Sequence, residues 1–380
     1  MSQEMLKERL DLFRNTVRGR ETHRVPTSSN FWTWKVLDSD LNLTLMQANE
    51  DLSLMEKAVR EFHERYHFDT YEDLGTRNMF HISNPLGNPG YVIDDEAGTI
   101  NAPDWCLMED DEYDEIIENP VMFGWTKIMP RKFKSFSYDQ YRGAVQGFLE
   151  YNAYSENIQK IFIEEYGCPQ EKNGLHMSPV EDLFSWGLRG FRAFSKDMRR
   201  QPDKIDAYIG ANEPMLLGQV EASLTNKNPN AIYDVYSVML AHSCMNAKQF
   251  ERFYYITLKK ILDMVEKYDG LYMLFCEASY LQIKDFFKDF PDGHLAVTIE
   301  QDDIMELRRE CPNITITGGM PVELLGNGTP EQCVDYAKKL IDSLGGSHFV
   351  LSQNKMMSFR NDCRRENLLA VQDYALNYRF

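Results

Sequence analysis

The strongest constraint on the fold is an alternation of short apolar runs with longer amphipathic stretches along the chain. Eight runs are strand candidates: residues 25–31, 68–74, 174–180, 231–238, 271–277, 295–300, 313–318 and 348–353. Strands that alternate with helices usually pair in parallel, and eight of them predict a closed (β/α)8 TIM barrel of the α/β class. An open doubly wound sheet is the alternative, but no glycine-rich phosphate turn favours it.

Capping signals mark several of the helices between these runs. The stretch SLMEKAVREFHERY (53–66) begins with Ser53 and Glu56 at the spacing of a capping box. Residues 329–332 supply a second capping box, with proline at the first helical position. A third helix begins at Asn246 and places apolar and aromatic residues on one face, namely Phe250, Tyr254, Leu258, Ile261 and Val265.

A long polar segment, about 75–170, separates the second strand candidate from the third. Within it, residues 91–101 predict a β-hairpin that turns at Ala97 and Gly98. No linker or low-complexity tract divides the chain, so we expect a single barrel domain over residues 1–380 with this segment as an insertion. Because barrel active sites lie at the carboxyl ends of the strands, we expect the insertion to fold over that end.

Composition narrows the class of protein. A hydrophobic content of 43% predicts a globular protein, and no apolar run has the roughly 18 residues of a membrane span. The formal net charge of -18 would repel phosphate backbones, so we expect no nucleic-acid partner. The 7 cysteines form no CxxC pair, and the first 21 residues lack the apolar region of a secretory signal. We therefore expect a cytoplasmic protein with reduced thiols and no membrane partner.

Polar or small residues follow many of the buried runs, where the barrel prediction places an active-site rim. They are Asn30, Glu72, Asp73, His176, Tyr236, Cys276, Glu277, Glu300, Asp302, Gly318, Gly319, Gln353 and Asn354. A carboxylate directly after a buried run needs a partner or water, which favours a functional role for Glu277 and Glu300. Cys276 is either a metal ligand or a buried apolar thiol, and His176 is either a rim residue or a core histidine. The two glycines can equally serve close backbone packing.

The second half of the chain resembles the uroporphyrinogen decarboxylase superfamily. The resemblance rests on a strand that ends in Gly-Gly (313–319), a Gly-Thr-Pro-Glu helix start (328–331), HFVLSQN (348–354) and the closing RRENLLAVQDYA (364–375). It extends upstream through CEAS (276–279) and, more weakly, to the start of the chain. The fold of that family is a (β/α)8 barrel, in agreement with the strand count.

The superfamily has two main chemistries. Its decarboxylases use no metal or cofactor and carry an arginine-rich stretch after the first strand, where this chain has SSNFWTWKVLDSD (28–40) with Lys35 as the one cation. Other members transfer a methyl group to or from a corrinoid that is held by a separate small protein. The resemblance therefore implies a corrinoid-dependent methyltransferase with a corrinoid-binding protein as its partner.

The zinc motif of the thiol-methylating members is incomplete here. Those members carry His-x-Cys at the end of the fifth strand and a second cysteine after the last strand. Cys276 matches the first cysteine, but Leu274 and Asn354 stand at the other two positions. We expect no zinc, with Cys276 as a ligand if zinc is present. Because an amine needs no metal to expose its lone pair, the expected reaction is methyl transfer from methylcobalamin to tetrahydrofolate.

The family resemblance and the position of residues at the carboxyl ends of the strands together predict the roles of the site residues. Glu277, Glu300 and Asp302 are expected to be catalytic, through hydrogen bonds and proton transfer. The expected substrate-binding residues are Asn30, Trp32, Glu72, Asp73, His176, Tyr236, Gln353 and Asn354. Trp32 and Trp34 either stack on a flat ring or pack in the core. The alternatives are a demethylase of a small methoxylated or N-methylated compound, a decarboxylase, and a non-catalytic homologue that binds a ligand.

Overall fold

The computed structural model describes residues 2–71, 74–87, 90–133, 137–185, 187–288 and 290–380. Its architecture is mixed α/β, with a parallel five-stranded sheet and many helices. The strands are β1 (Val92–Asp94), β2 (Thr99–Asn101), β3 (Gln170–Lys172), β4 (Ala231–Tyr233), β5 (Val235–Met239), β6 (Tyr272–Cys276), β7 (Leu295–Ile299), β8 (Thr315–Met320) and β9 (Phe349–Gln353).

Helices connect and surround these strands. They are α1 (Ser2–Val17), α2 (Trp34–Leu37), α3 (Leu45–Glu50), α4 (Leu52–Tyr66), α5 (Asn78–Ser83), α6 (Tyr113–Glu118), α7 (Pro120–Phe123), α8 (Met129–Lys132), α9 (Tyr138–Glu164), α10 (Pro179–Phe184), α11 (Gly190–Arg200), α12 (Pro202–Thr225), α13 (Ala247–Phe250), α14 (Ile256–Lys267), α15 (Ile304–Glu310), α16 (Val322–Asn327), α17 (Pro330–Leu344) and α18 (Arg365–Asn377). Single π-helical turns, Gly124–Ile128 and Glu251–Tyr255, join α7 to α8 and α13 to α14. No helix in the described part of the chain is long and apolar enough to cross a membrane.

The five-stranded sheet has the order β5-β6-β7-β8-β9, and every pair in it is parallel. Almost every residue of these strands is buried, so both faces of the sheet are covered. Such strands read as near-continuous apolar runs rather than as alternating ones. The predicted fifth to eighth strands are confirmed on this sheet, and the predicted fourth, 231–238, is divided between β4, which pairs with β3, and β5.

Further parallel contacts extend beyond both edges of the sheet. Thr27 bridges to Leu351 of β9, while β3 pairs with β4 and Tyr71 bridges to Gln170 of β3. The amide of Asp69 donates to the carbonyl of Thr27 at 3.2 Å. The first two strand candidates are thus present as short parallel bridges rather than as full strands.

The predicted third strand, 174–180, is wrong. The strand lies earlier, at Gln170–Lys172, and Pro179 is the first residue of helix α10. The strand was missed because its sequence, Gln-Glu-Lys, carries no apolar signal. Glu171 is nevertheless buried, and its carboxylate accepts a hydrogen bond from the hydroxyl of Ser28 at 2.6 Å.

The capping predictions have mixed outcomes. The box at Thr329 is confirmed, with Gln332 as its partner. The box at Ser53 is wrong, because Asp51 is the N-cap of α4 and accepts a hydrogen bond from the amide of Ser53 at 2.9 Å. An aspartate two residues earlier can satisfy the same free amides, so the helix begins before the predicted serine.

The predicted insertion contains the hairpin β1–β2 and helices α5 to α9. The hairpin is antiparallel and pairs Ile93 with Ile100, as predicted, and Gly98 has the positive φ of 66° that its turn requires. Helix α9 is the longest element of this segment, at 27 residues. The boundaries of the insertion and the single domain remain predictions.

Candidate functional site

A cavity of about 630 Å³ lies at the carboxyl ends of the central strands and opens to solvent. Strand-end residues that line it include Trp32, Lys172, Tyr236, Phe275 and Glu277, and residues of the predicted insertion that line it include Arg77, Met79, Tyr91, Lys132 and Tyr151. The volume lies within the range of small-molecule sites, roughly 300–1,000 Å³. A second hollow, of about 590 Å³ beside Arg252, lies on the outer helices and involves none of the predicted site residues.

Glu277 is the predicted catalytic residue that lines this cavity. Side chains alternate along β6, so that Phe275 faces the cavity and Cys276 faces the outer helices. Burial raises the pKa of Glu277 to about 7, and the negative charge of Glu300 adds to the shift. A carboxyl group with this pKa can accept or donate a proton near neutral pH.

Cys276 lies on the other face of β6. It is completely buried in the same apolar cluster as Tyr272 and Leu274. Burial raises the pKa of its thiol strongly, and the charges of Glu181 and Asp302 raise it further. A thiolate is therefore unfavourable at this position. Within the described ranges, no three His, Cys, Asp or Glu side chains converge as a metal site would require.

Glu300 and Asp302 hold the loop that follows β6. The carboxylate of Glu300 accepts a hydrogen bond from the amide of Ala278 at 3.1 Å, and Ala278 has a positive φ of 61°. Asp302 accepts from the hydroxyl of Ser279 at 2.9 Å and from the amide of Tyr280 at 2.6 Å. Neither carboxylate is part of the cavity wall. The structure gives both residues internal partners at the positions where the sequence predicted catalytic groups.

Two predicted substrate-binding residues near the last strand also have internal partners. The side-chain oxygen of Asn354 accepts from the amide of Val322 at 3.0 Å, at the start of α16. The side-chain oxygen of Gln353 accepts from the amide of Asn30 at 2.9 Å. Neither residue lines the cavity. Their hydrogen bonds fix the backbone around it.

The side chain of Asn30 differs from these groups. Its residue is 4% exposed, and neither its amide nitrogen nor its oxygen has a hydrogen-bond partner among the described residues. Buried side-chain amides rarely leave both their nitrogen and their oxygen without a hydrogen bond, because each unsatisfied atom costs free energy. Asn30 lies two residues before Trp32, which lines the cavity, but is not itself in the cavity wall.

The two tryptophans have different environments. The guanidinium of Arg77 lies 4.3 Å from the ring centroid of Trp32, and Tyr91 contacts the same ring edge-on at 5.3 Å. Trp34 is buried against Phe31 and Phe62, so it packs in the core. Of the two, Trp32 is the one that presents an aromatic surface to the cavity.

Of the remaining predicted residues, one lines the cavity and one packs elsewhere. Tyr236 lines the cavity, and the ammonium of Lys172 lies 3.9 Å from its ring centroid. His176 does not line the cavity, and its ring lies 3.0 Å from the hydroxyl of Ser223 on α12. Burial lowers the pKa of His176, which favours the neutral ring. Glu72 and Asp73 lie outside the described residues.

The glycine pair that ends β8 serves packing at one position. Gly319 has a φ of 100°, and a Cβ added there would lie 2.9 Å from the Cδ1 atom of Ile304 on α15. A larger residue would therefore displace this helix. At Gly318 the nearest atom to an added Cβ is 3.5 Å away, although its φ of 135° also favours glycine.

Sequence reasoning missed two buried acidic groups: Glu171, which lines the cavity, and Glu181, which is close enough to Glu277 for their charges to interact. Glu181 is completely buried on α10, and one carboxylate oxygen accepts from the amides of Leu240 and Ala241, each at 2.9 Å. Burial raises the pKa of Glu181 to about 8, with a contribution from the charge of Glu277. A sequence signal was available, because Glu181 directly follows the predicted strand 174–180, a position of the kind from which the other candidates were chosen.

The cavity residues from the insertion had no usable sequence signal. Arg77, Trp105 and Lys132 come from three separate parts of an aperiodic segment, and they lie together because the chain folds back over the strand ends. Burial lowers the pKa of Lys132. A polar group in a loop can be assigned to a site only when the path of that loop is known.

The fold resembles that of a solved methyltransferase from Methanosarcina mazei, with a TM-score of 0.62. The match covers 97% of this chain and 98% of the methyltransferase, and 14% of the aligned residues are identical. At this identity the match shows a shared fold over nearly the whole of both chains. No family model and no curated protein sequence matches this chain.

Proposed function

We propose that this chain is a methyltransferase of the uroporphyrinogen decarboxylase superfamily, which moves a methyl group between a corrinoid on a partner protein and tetrahydrofolate. One observation carries the proposal: Glu277, with a pKa near 7, lies in the wall of a small-molecule cavity at the strand ends. The fold shared with a methyltransferase supports it, although fold alone does not specify chemistry.

The proposal includes a closed (β/α)8 barrel. Four sets of contacts support closure: the bridge from Thr27 to Leu351, the hydrogen bond from Asp69 to Thr27, the bridge from Tyr71 to Gln170, and the pairing of β3 with β4. Together they connect the two edges of the five-stranded sheet through the first three strand regions. In a closed barrel, residues from strands far apart in sequence meet at one mouth, as Trp32 and Glu277 do in the cavity.

The cavity suits a flat, amide-edged ligand such as a pterin. Trp32 and Tyr236 offer aromatic rings in its wall, and the carboxyl group of Glu277 in the same wall can hydrogen-bond to the edge of a pterin. Because the cavity is open on one side, a reactant held on a second protein can approach a small molecule inside it.

The corrinoid, when bound to its partner, would supply the methyl group without its bonding electrons, and the electron pair of the broken cobalt–carbon bond would stay with the corrinoid. The residues of this chain then orient the acceptor and manage one proton. As the nitrogen of tetrahydrofolate forms its bond to the methyl carbon, it loses its hydrogen as a proton, and Glu277 accepts that proton. A pKa near 7 suits this role, since the carboxylate is available at neutral pH and is still basic.

Demethylation of a small methoxylated or N-methylated compound is the second candidate function. It is favoured by the same raised pKa of Glu277, because a protonated carboxyl group can protonate a leaving oxygen or nitrogen. In this direction the chain would load a methyl group onto the reduced corrinoid. A non-catalytic ligand-binding role is the third.

A spectroscopic assay separates these functions. The protein is mixed with methylcobalamin and tetrahydrofolate, and the cobalamin spectrum is followed with time. Loss of the methylcobalamin spectrum at a rate set by the protein, and slowed in Glu277→Gln, is the expected result. Turnover only with reduced cobalamin and a methoxylated or N-methylated donor identifies the demethylase. Binding of tetrahydrofolate without turnover in either direction contradicts both enzymes.

A further inference from the structure

The wall of the cavity at the strand ends is richer in cations than the chain around it. Among the residues that the structure describes, Arg77, Lys132 and Lys172 line this cavity, together with the carboxyl groups of Glu171 and Glu277. The chain as a whole has 41 lysines and arginines against 59 aspartates and glutamates. Cations that line a concave site raise the local concentration of anions, because the field is focused there. The charge of the wall therefore favours a small molecule with an acidic group.

Two of these cations lie on aromatic rings of the same wall. The guanidinium of Arg77 lies 4.3 Å from the ring centroid of Trp32, and the ammonium of Lys172 lies 3.9 Å from that of Tyr236. Contacts at these distances are attractive and hold the cation in place. A ring supplies no negative charge, so it positions the cation without neutralising it. A cation that is positioned in advance binds an anion with a smaller loss of conformational entropy.

The third cation, Lys132, ends helix α8 of the insertion. Burial lowers the pKa of its ammonium group, because removal from water disfavours the charged form. An anion beside this group has the opposite effect, since it favours the charged form. A carboxylate would therefore interact more strongly with Lys132 than with an exposed lysine, whose charge water already screens.

The order of the strands separates these cations from Glu277. Lys172 ends β3, which pairs with β4, and Glu277 follows β6, which pairs with β5. Because β4 and β5 belong to one segment, 231–239, Lys172 and Glu277 lie on its two sides, roughly 10 Å apart at a strand spacing of about 4.8 Å. Arg77 lies on Trp32, beyond the other edge of β3, where the first two strand regions bridge to the sheet. A molecule that spans this width can reach Glu277 at one end and the cations at the other.

We propose that Arg77, Lys132 and Lys172 form a subsite for a carboxylate of the small substrate, whose reacting atom then lies at Glu277. The orientation rests on the proposed function of Glu277, whereas the carboxylate subsite does not depend on it. A guanidinium binds a carboxylate through two parallel hydrogen bonds, and an ammonium binds it as a point charge. In tetrahydrofolate the acidic end is the glutamate tail, and in a methoxylated aromatic acid it is the ring carboxylate.

Equilibrium binding tests the subsite with two matched pairs of small molecules. The first pair is tetrahydrofolate and a methyltetrahydropterin that lacks the acidic tail. The second pair is meta-methoxybenzoate and meta-methoxybenzamide, which have nearly the same shape and differ in charge. In at least one pair we expect the acidic member to bind about tenfold more tightly or better, as a hydrogen bond to a charged group implies. Isothermal titration calorimetry measures each affinity without corrinoid and without turnover.

Variants then assign the preference to the cations. Lys172→Met keeps an apolar side chain on Tyr236 but removes the charge, so it should weaken binding of the acidic member about tenfold. Binding of the neutral member should change by less than about threefold, and Arg77→Gln should act in the same way. Lys172→Arg should retain the preference. Lys259→Met is the matched control, because Lys259 is exposed on the outer helix α14 and pairs with Asp263.

The outcomes separate the subsite from the proposed reaction. Equal affinities within both pairs, including no binding of any member, overturn the subsite even if methyl transfer occurs. An equal loss of both members in Lys172→Met, or the same loss in Lys259→Met, also overturns it. A preference in either pair that Lys172→Met removes supports the subsite. If that preference is found in the second pair alone, or without turnover, the subsite is supported and tetrahydrofolate as the acceptor is contradicted.

Discussion

Polar residues follow β6 and also follow β7 and β9, but their side chains have different partners in the two regions. After β6, the side chain of Glu277 faces the cavity, and no backbone amide donates to its carboxylate in the part of the chain that the structure describes. After β7 and β9, the carboxylates of Glu300 and Asp302 and the amide of Asn354 bind backbone amides of the protein itself.

These side chains have different partners because the backbone beside them differs, not because the residue types differ. The loop after β6 turns through Ala278 with a positive φ, and its free amides are satisfied by Glu300 and Asp302. The first turn of α16 has free amides that Asn354 satisfies. A polar residue after a strand therefore belongs to a binding site only when no backbone donor or acceptor nearby already uses it.

The largest expected effect concerns the pH dependence of stability through Glu277. Its pKa is about 7 in the folded protein and about 4.5 when unfolded, so the folded state binds more protons between these values. Stability from this group is complete below the unfolded pKa and falls by about 3 kcal/mol as the pH rises to the folded pKa. In Glu277→Gln the free energy of unfolding should lack that part of the decline between pH 4.5 and 7.

Chemical denaturation of both proteins across this pH range measures the difference. Asp182 also has a raised pKa, of about 6, and contributes equally to both proteins. The raised pKa of Glu181, about 8, depends in part on the charge of Glu277 and should fall in Glu277→Gln. The comparison therefore measures the titration of Glu277 together with its coupling to Glu181. Parallel curves for the two proteins would show that Glu277 is not buried in the way described here.

A smaller effect on the free energy of unfolding is expected from a substitution of Asp302. Asp302→Asn keeps one acceptor but weakens the hydrogen bonds to Ser279 and Tyr280, and should cost about 1.5 kcal/mol of unfolding free energy. Methyl transfer should change by less than about threefold, since this carboxylate is outside the cavity wall. Stability is measured by denaturant unfolding, with activity assayed on the same preparation. A large loss of activity at unchanged stability would place Asp302 in the catalytic set instead.

Asn354→Ala should have a similar but weaker consequence. It removes the acceptor for the amide of Val322, a loss of about 1 kcal/mol for a helix cap. Asn377→Ala is a matched control near the end of α18, where the side chain is exposed and bonds to Asp373. Thermal unfolding should show a lower Tm for the first variant only. Equal Tm values would mean that the contact of Asn354 with α16 is not stabilising.

The smallest expected effect is that of metal removal. The family resemblance would place two zinc ligands at the positions of Leu274 and Asn354, and neither residue is a histidine or a cysteine, so we expect far less than one equivalent of zinc in the purified protein. Dialysis against a chelator should leave methyl transfer unchanged. Elemental analysis that finds stoichiometric zinc, released by Cys276→Ala, would contradict this and favour a thiol-methylating or demethylating enzyme.

Apolar runs made most of the sheet predictable from sequence. The strands β5 to β9 are buried on both faces, so each appears as a continuous apolar segment. The third strand region was misplaced because β3 is polar and the buried carboxylate of Glu171 accepts a hydrogen bond from Ser28, a residue 143 positions away in the chain. Such a long-range partner leaves no local pattern in the sequence.

The candidate site was predictable only in part. Glu277, Tyr236 and Trp32 line the cavity where the sequence predicted functional residues, whereas Glu300 and Asp302 are held by the loop after β6. The sequence shows which polar residues follow the strands, but it does not show which of them accept hydrogen bonds from backbone amides and which face the cavity. Glu181 was overlooked although it directly follows the predicted strand 174–180, and the structure places it on helix α10.

The most direct test of the account compares two adjacent residues, Cys276 and Glu277, in methyl transfer. Cys276 faces the buried core and Glu277 faces the cavity. With methylcobalamin and tetrahydrofolate, Cys276→Ser should retain most of the activity, and Glu277→Gln should lose about tenfold or more, as expected when a proton-transfer group is removed. An inactive Cys276→Ser beside an active Glu277→Gln would contradict the assignment of Glu277 as the functional residue of this strand end.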